Sequence, residues 1–256
     1  MIWLPVLGEL DRWHDAGVTA RLWLRDDDAV QPSPLLDELG ELTERFRVPV
    51  TLAVIPATTG EALVQYLCGV PHMSPAIHGW AHANHAPAGE KKQEIGLHRE
   101  RAVVLRELTD AHRRMSDLHG ERLIPMLVPP WNRIAPELMP DLPALGYRAL
   151  SAFGEPILEV ARLAVINTHV DLIDFRGTRR CHDHELLARG IAGELSRSRL
   201  SDRSAVGILS HHLIGDQAAL RFLNDLFSVT TNHPACRWVD SADLTGLGAY
   251  TPKPCS

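Results

Sequence analysis

The chain reads TARLWLRDDDA from Thr19 to Ala29, where bulky apolar residues alternate as far as Leu24 and then give way to an arginine and three aspartates. Such alternation marks a β-strand, so Arg25, Asp26, Asp27 and Asp28 sit at its C-terminal end. The same arrangement recurs downstream. The apolar run Ser74-Pro75-Ala76-Ile77 leads into IHGWAHANH, Ile77 to His85. Leu123 to Val128 stops at Pro129-Pro130-Trp131-Asn132-Arg133, since a proline pair cannot donate to a sheet ladder. Ala164 to Thr168 runs into His169-Val170-Asp171, and Ala205 to Leu209 ends at Ser210-His211-His212.

Further strands are expected at Val48 to Ile55, Tyr147 to Phe153 and Arg237 to Val239. A short leading helix ends near Gly17. Helical periodicity or capping predicts helices at about Leu35 to Phe46, Gly60 to Cys68, Glu90 to Leu118, Asp183 to Leu195 and Asp216 to Phe227. Alternation of strands and helices without an internal repeat or linker predicts the α/β class. The expected architecture is a distorted (β/α) barrel of seven or eight strands, one domain over residues 1–256 with its motif-bearing core at about 19–240. A doubly wound open sheet is the alternative. In a parallel barrel all C-terminal strand ends face one rim, where active sites are built. That shared rim, more than the spacing of His78 and His82 in a chain of 14 histidines, makes the polar clusters one site.

Composition narrows the function. Hydrophobic residues make up 45% and charged residues 23% of 256 residues, as in ordinary globular proteins. A net charge of −6 with no basic stretch argues against a nucleic-acid partner. No run approaches a membrane span, and the N-terminal MIWLPVLGELDRW lacks the basic start of a secretion signal, so a cytoplasmic location is expected. Cys68, Cys181, Cys236 and Cys255 form no CxxC pair, and reduced thiols are the expectation. No helix carries a sustained heptad that would specify an oligomer.

The motifs together resemble the polysaccharide deacetylase family of metal-dependent carbohydrate esterases (family 4). The resemblance rests on an Asp-Asp pair after the first strand, His78-x-x-x-His82, a proline-containing third motif and Leu209-Ser210-His211, and it spans Arg21 to His212. It implies a divalent metal on Asp28, His78 and His82, with Asp27 as general base. Zn(II) suits two nitrogens and an oxygen, with Co, Ni or Mn as alternatives. The register one residue earlier, Asp26-Asp27, ranks second because it would place a charged residue where Ala29 stands for the family's glycine. By the same resemblance His211 is the general acid, with His212 the runner-up, and Asp171 is the carboxylate that orients it. Pro130 and Trp131 match the third motif, in which a backbone N–H holds the oxyanion and the indole offers a wall to a sugar ring.

One departure stands out. Val128 occupies the place of the arginine that partners the base, and Arg25 and Arg133 are the candidates to replace it. His85, His169 and Trp80 also fall near the rim with no assigned contact. The implied activity is hydrolysis of a non-peptide carbon-nitrogen bond, foremost N-deacetylation of a sugar or sugar-like molecule. Ureide hydrolysis on the same site and a catalytically silent carbohydrate-binding barrel are the alternatives.

Overall fold

A computed structural model describes residues 2–201 and 205–246. Cys255 lies outside them. The strands are β1 (Ala20–Ala29), β2 (Val50–Val54), β3 (Met73–His78), β4 (Met126–Val128), β5 (Ala149–Leu150), β6 (Ala164–Val165), β7 (Val170–Asp171), β8 (Val206–Ser210) and β9 (Cys236–Trp238). The helices are α1 (Leu4–Asp15), α2 (Pro34–Phe46), α3 (Glu61–Cys68), α4 (Arg101–His119), α5 (His184–Ser201), α6 (Gln217–Thr230) and α7 (Ser241–Leu244). All pairings in the sheet are parallel, in the order β6-β5-β4-β3-β2-β1-β8-β7, with β9 added to the first residues of β1.

This is a distorted (β/α) barrel, and its closure is unusual. β6 and β7 lie at opposite ends of the strand order, yet only four residues separate them. Thr168 N donates to Ala152 O (3.1 Å) beside β5, and His169 N donates to Gly207 O (2.7 Å) in β8, so this short segment joins the two edges. Gly207 N in turn donates to His169 Nδ1 (3.0 Å). Only glycine permits this seam. A Cβ on Gly207 would stand 2.6 Å from Trp23 Nε1 and 2.8 Å from both Asn167 O and Thr168 Cα.

Two apolar layers follow from strand alternation. Trp23, Ala53, Ala76, Met126, Val128 and Ala149 fill one side of the sheet as a small cluster. Leu22, Leu24, Leu52, Val54, Ile77 and Leu127 join the larger core under the helices. Helix α2 shows why these segments begin where they do: Ser33 Oγ accepts from Leu36 N, and Pro34 occupies the first turn.

Three expectations need correction. The long helix expected from Glu90 starts only at Arg101, and the preceding residues run irregularly toward the rim, where Ile95 bridges Ile134 and Leu97 is left exposed. The expected sixth strand, Ala164 to Thr168, is cut short as β6, and Val170–Asp171 beyond it forms the separate β7, which makes nine strands in the sheet. Cys68 is disulfide-bonded rather than reduced, while Cys181 and Cys236 are free, so cysteine usage gives the expected cytoplasmic location no support. Among the described residues no helix is long and apolar enough to cross a membrane.

Candidate active site

The end of β1 supplies residues to both faces of the sheet. Arg25 and Asp27, two apart, share a face and form a bidentate pair, Nε to Oδ1 at 2.8 Å and Nη2 to Oδ2 at 3.0 Å. Both are buried, Arg25 completely. The remaining donors of the guanidinium reach Ser151 Oγ (2.7 Å), Ser151 O (3.0 Å), Ala152 O (3.2 Å) and Asn132 Oδ1 (2.5 Å). A buried guanidinium needs this many acceptors to offset its lost hydration. Arg25 therefore stands where the sequence lacks an arginine at Val128. Arg133 does not: its Nη1 donates to Lys92 O (2.8 Å) at the surface.

Asp26 points the other way. Its Oδ2 accepts from Ser210 Oγ (2.6 Å) and His212 N (3.0 Å), and its Oδ1 meets His212 Nδ1. Asp26 and His212 thus form a buried pair tying β1 to the residues after β8. At Asp28 the strand register shifts and φ reaches 76°, which turns this carboxylate toward the histidines.

Asp28 Oδ1 lies 3.1 Å from His78 Nε2 and 3.3 Å from His82 Nε2. One ligand atom from each of the three residues falls within 4.8 Å of the others. His78 Nδ1 sits 3.0 Å from Val128 O, and a carbonyl can only accept, so Nδ1 carries a proton and Nε2, which is hydrogen-bonded to Asp28, is the atom that a cation would engage on displacing the proton between them. Burial opposes charge on Asp28. The His78 hydrogen bond and the nearness of His78, His211 and His82 nonetheless hold its carboxyl well below the usual range. Burial likewise keeps the His82 imidazole below its ordinary value, despite Asp28, and so favours the neutral ligand form. A charged carboxylate and two imidazoles converging on one point fit a divalent metal.

The loop that carries His82 is organised by Glu94, which the sequence reading did not single out. This buried carboxylate accepts from Trp80 N (3.0 Å), Ala81 N (2.8 Å) and Ala83 N (3.0 Å). Gly79, at φ 60°, lets the chain pass: a Cβ there would fall on Glu94 Oε2 and lie 2.6 Å from Pro130 Cδ. In the sequence Asn132 lies among the residues after the fourth strand, Ser151 in the expected strand Tyr147 to Phe153 and Glu94 in the expected helix Glu90 to Leu118, and none stands out. Only the unexplained gap at Val128 hinted that extra polar partners would be required.

His211 faces the site. Its ring meets Phe175 edge-on at 4.6 Å, and its Nδ1 lies 3.9 Å from Asp171 Oδ1. That separation exceeds a hydrogen bond, and His211 Nδ1 is buried without a partner. Burial raises the Asp171 carboxyl, partly offset by His211. Trp131 packs its indole 4.4 Å from the His82 ring. His169 is occupied by the barrel seam, while His85, with its backbone N donating to Gln93 O (3.0 Å), and Trp80, packed against the core, lie outside the three-residue cluster. Of seven non-glycine residues at positive φ among those described, four are here: Asp28, His82, Trp131 and Asn132. Each such conformation costs about 1–3 kcal/mol, and their concentration at one rim marks a site for which geometry is held against local preference.

The fold of this barrel is shared with solved structures of polysaccharide deacetylases and family 4 carbohydrate esterases. A Mycobacterium smegmatis protein assigned to the polysaccharide deacetylases superposes with a TM-score of 0.65 at 15% identity, covering 93% of this chain and 96% of that one. The peptidoglycan N-acetylglucosamine deacetylase Bc1960 gives 0.57 at 13% identity over 88% and 87%. A family 4 acetyl xylan esterase from Clostridium thermocellum, solved with cobalt, gives 0.52 at 13% over 89% and 91%. No protein-family model matches the sequence, and no curated protein matches it.

Proposed function

We propose that this chain is a metal-dependent hydrolase that removes an acetyl group from the nitrogen of a sugar or sugar-like substrate. The observation that carries the reading is the convergence of Asp28, His78 and His82 beside the buried Arg25-Asp27 pair. It is supported by the shared fold of solved structures whose own names are deacetylases and esterases of sugars.

Asp28, His78 and His82 would hold the ion, with zinc favoured by two imidazoles and a carboxylate and with cobalt, nickel or manganese able to substitute. Such an ion supplies Lewis acidity for activating water and the acyl carbonyl. Asp27 takes the proton of the attacking water. Arg25 is a positioning residue: its fork fixes both oxygens of Asp27 while one lone pair on each remains available. The backbone N–H at Trp131 stabilises the developing oxyanion in this reading, and the indole offers a flat wall to a pyranose ring. His211 gives its proton to the leaving nitrogen, and Asp171, now 3.9 Å from Nδ1, closes on it when substrate orders the rim.

The test is amine release from N-acetyl sugars and ureides by the metal-loaded protein, with and without chelator. Chelator-sensitive release from an N-acetyl sugar supports the reading. Stoichiometric metal with no turnover of any amide contradicts it, and turnover of ureides alone moves the activity to that class.

A further inference from the structure

Among the described residues, the mouth of the site carries cations with no carboxylate paired to them. Lys92 Nζ stands 5.7 Å from the centroid of the Trp131 ring, which itself faces His82. Arg133, two residues after Trp131, spends one guanidinium nitrogen on the Lys92 carbonyl, leaving the rest of its fork open. From the opposite side of the barrel, Phe175 packs on His211 and so sets the next residue, Arg176, on the same rim. Arg133 is lowered from its ordinary value by partial burial and then by the like charge of Arg176, so both guanidiniums add positive potential at this mouth. Among the described residues no carboxylate pairs with Lys91, Lys92, Arg133 or Arg176.

Nearby acids do not cancel this charge. A cavity of about 530 Å³ has Lys91, Arg133, Glu90 and Glu155 in its lining. Glu90 lies 4.0 Å from His98 Nε2, and Glu155 raises Arg197, so both acids approach other basic side chains. The cavity reaches the reaction centre through Asn132 and Ala152, which line it and also bind Arg25. Its inner wall is apolar, with Ile134, Met139, Leu150 and Val165. A protein of net charge −6 has ample carboxylates with which to pair surface cations. Arginines and lysines set around one mouth without carboxylates raise its positive potential, which an anion would relieve.

We propose that the Arg133-Arg176-Lys92 cluster binds a phosphoryl group on the substrate, so that the acetamido sugar processed here is a sugar phosphate or a sugar joined through diphosphate to a further group lying in the cavity. Paired guanidinium forks match phosphate oxygens in geometry as well as charge. This rests on the deacetylase reading for the identity of the sugar, but the anion site can be measured by itself.

The experiment is calorimetric binding of N-acetylglucosamine, its 1-phosphate and its UDP conjugate to the full-length protein, at low and at physiological salt. The 1-phosphate should bind about 10-fold or more tighter than the neutral sugar, with an advantage that shrinks as salt rises. In a folded Arg133→Gln/Arg176→Gln variant the ratio of the two affinities should fall to near one. Inorganic pyrophosphate should compete with the 1-phosphate in the unaltered protein, which keeps the test valid if the variant does not fold. Equal binding of neutral and phosphorylated sugar overturns the proposal, as does a preference that survives in the variant. A UDP conjugate that binds tighter than the 1-phosphate assigns the cavity to the nucleotide; equal affinities support the phosphoryl site and confine it to the sugar phosphate. Phosphate-dependent binding without amine release would refute the deacetylase reading and leave the anion site standing. Amine release without phosphate preference would do the reverse.

Discussion

Arg25 and Asp27 lie two residues apart on one strand and form a completely buried, two-point ion pair, the guanidinium held by three further residues across the barrel. A neutral residue at position 25 strands a buried carboxylate, so Arg25→Met should lose about 3–5 kcal/mol of stability. Arg25→Lys keeps the charge but loses the fork. It should fold and reduce kcat more than it alters KM. An unchanged kcat in Arg25→Lys would remove Arg25 from the machinery around the base.

Glu94 gathers three backbone N–H groups of the loop that carries His82. Glu94→Ala leaves those donors without their acceptor, at roughly 1–3 kcal/mol each where water cannot replace it. Metal affinity should fall at least about 10-fold although no ligand has been touched. A titration showing metal binding as tight as in the unaltered protein would mean that the loop holds its shape without Glu94.

The seam predicts a cost far from the chemistry. Gly207→Ala must push Trp23 or the 167–168 backbone aside, and overpacking of this kind costs about 1–3 kcal/mol. Denaturant unfolding measures it directly. A stability equal to that of the unaltered protein would show that the barrel edges meet less closely than described.

His119, at the end of α4, is buried with its Nε2 unpartnered, and burial followed by Arg122 lowers its pKa from 6.5 to about 4. The unfolded chain therefore binds a proton there between those values that the folded chain refuses. Stability from this group is full above about pH 6.5 and is lost as pH falls toward 4, by up to about 3 kcal/mol. His119→Leu should flatten the pH dependence across that window. Parallel curves for the two proteins would place the titration elsewhere.

Much of this site was readable from residue order because a parallel barrel converts strand ends into one rim. Asp27, Asp28, His78, His82, Pro130, Trp131 and His211 follow strands and needed only that rule to be placed near one another. Alternation also foretold that His211 and His212 diverge, as they do. The replacement for the arginine missing at Val128 was narrowed to two candidates but not decided, since the choice depends on whether Ser151 and Asn132 could solvate a buried guanidinium. Glu94 was hidden because its segment carries a helical apolar stripe. Its demand from three backbone donors outweighs local propensity and keeps residues 90–100 out of a helix. His169 looked like a rim histidine, but the close approach at Gly207 draws it into the seam.

The central claim, that Asp28, His78 and His82 share one cation, is tested most directly by metal analysis of the purified protein beside its Asp28→Ala variant, with folding checked by circular dichroism. About one divalent ion per chain in the unaltered protein, with affinity reduced about 100-fold or more in the variant, is the predicted result. A folded Asp28→Ala protein that binds metal as tightly as the unaltered one would contradict it.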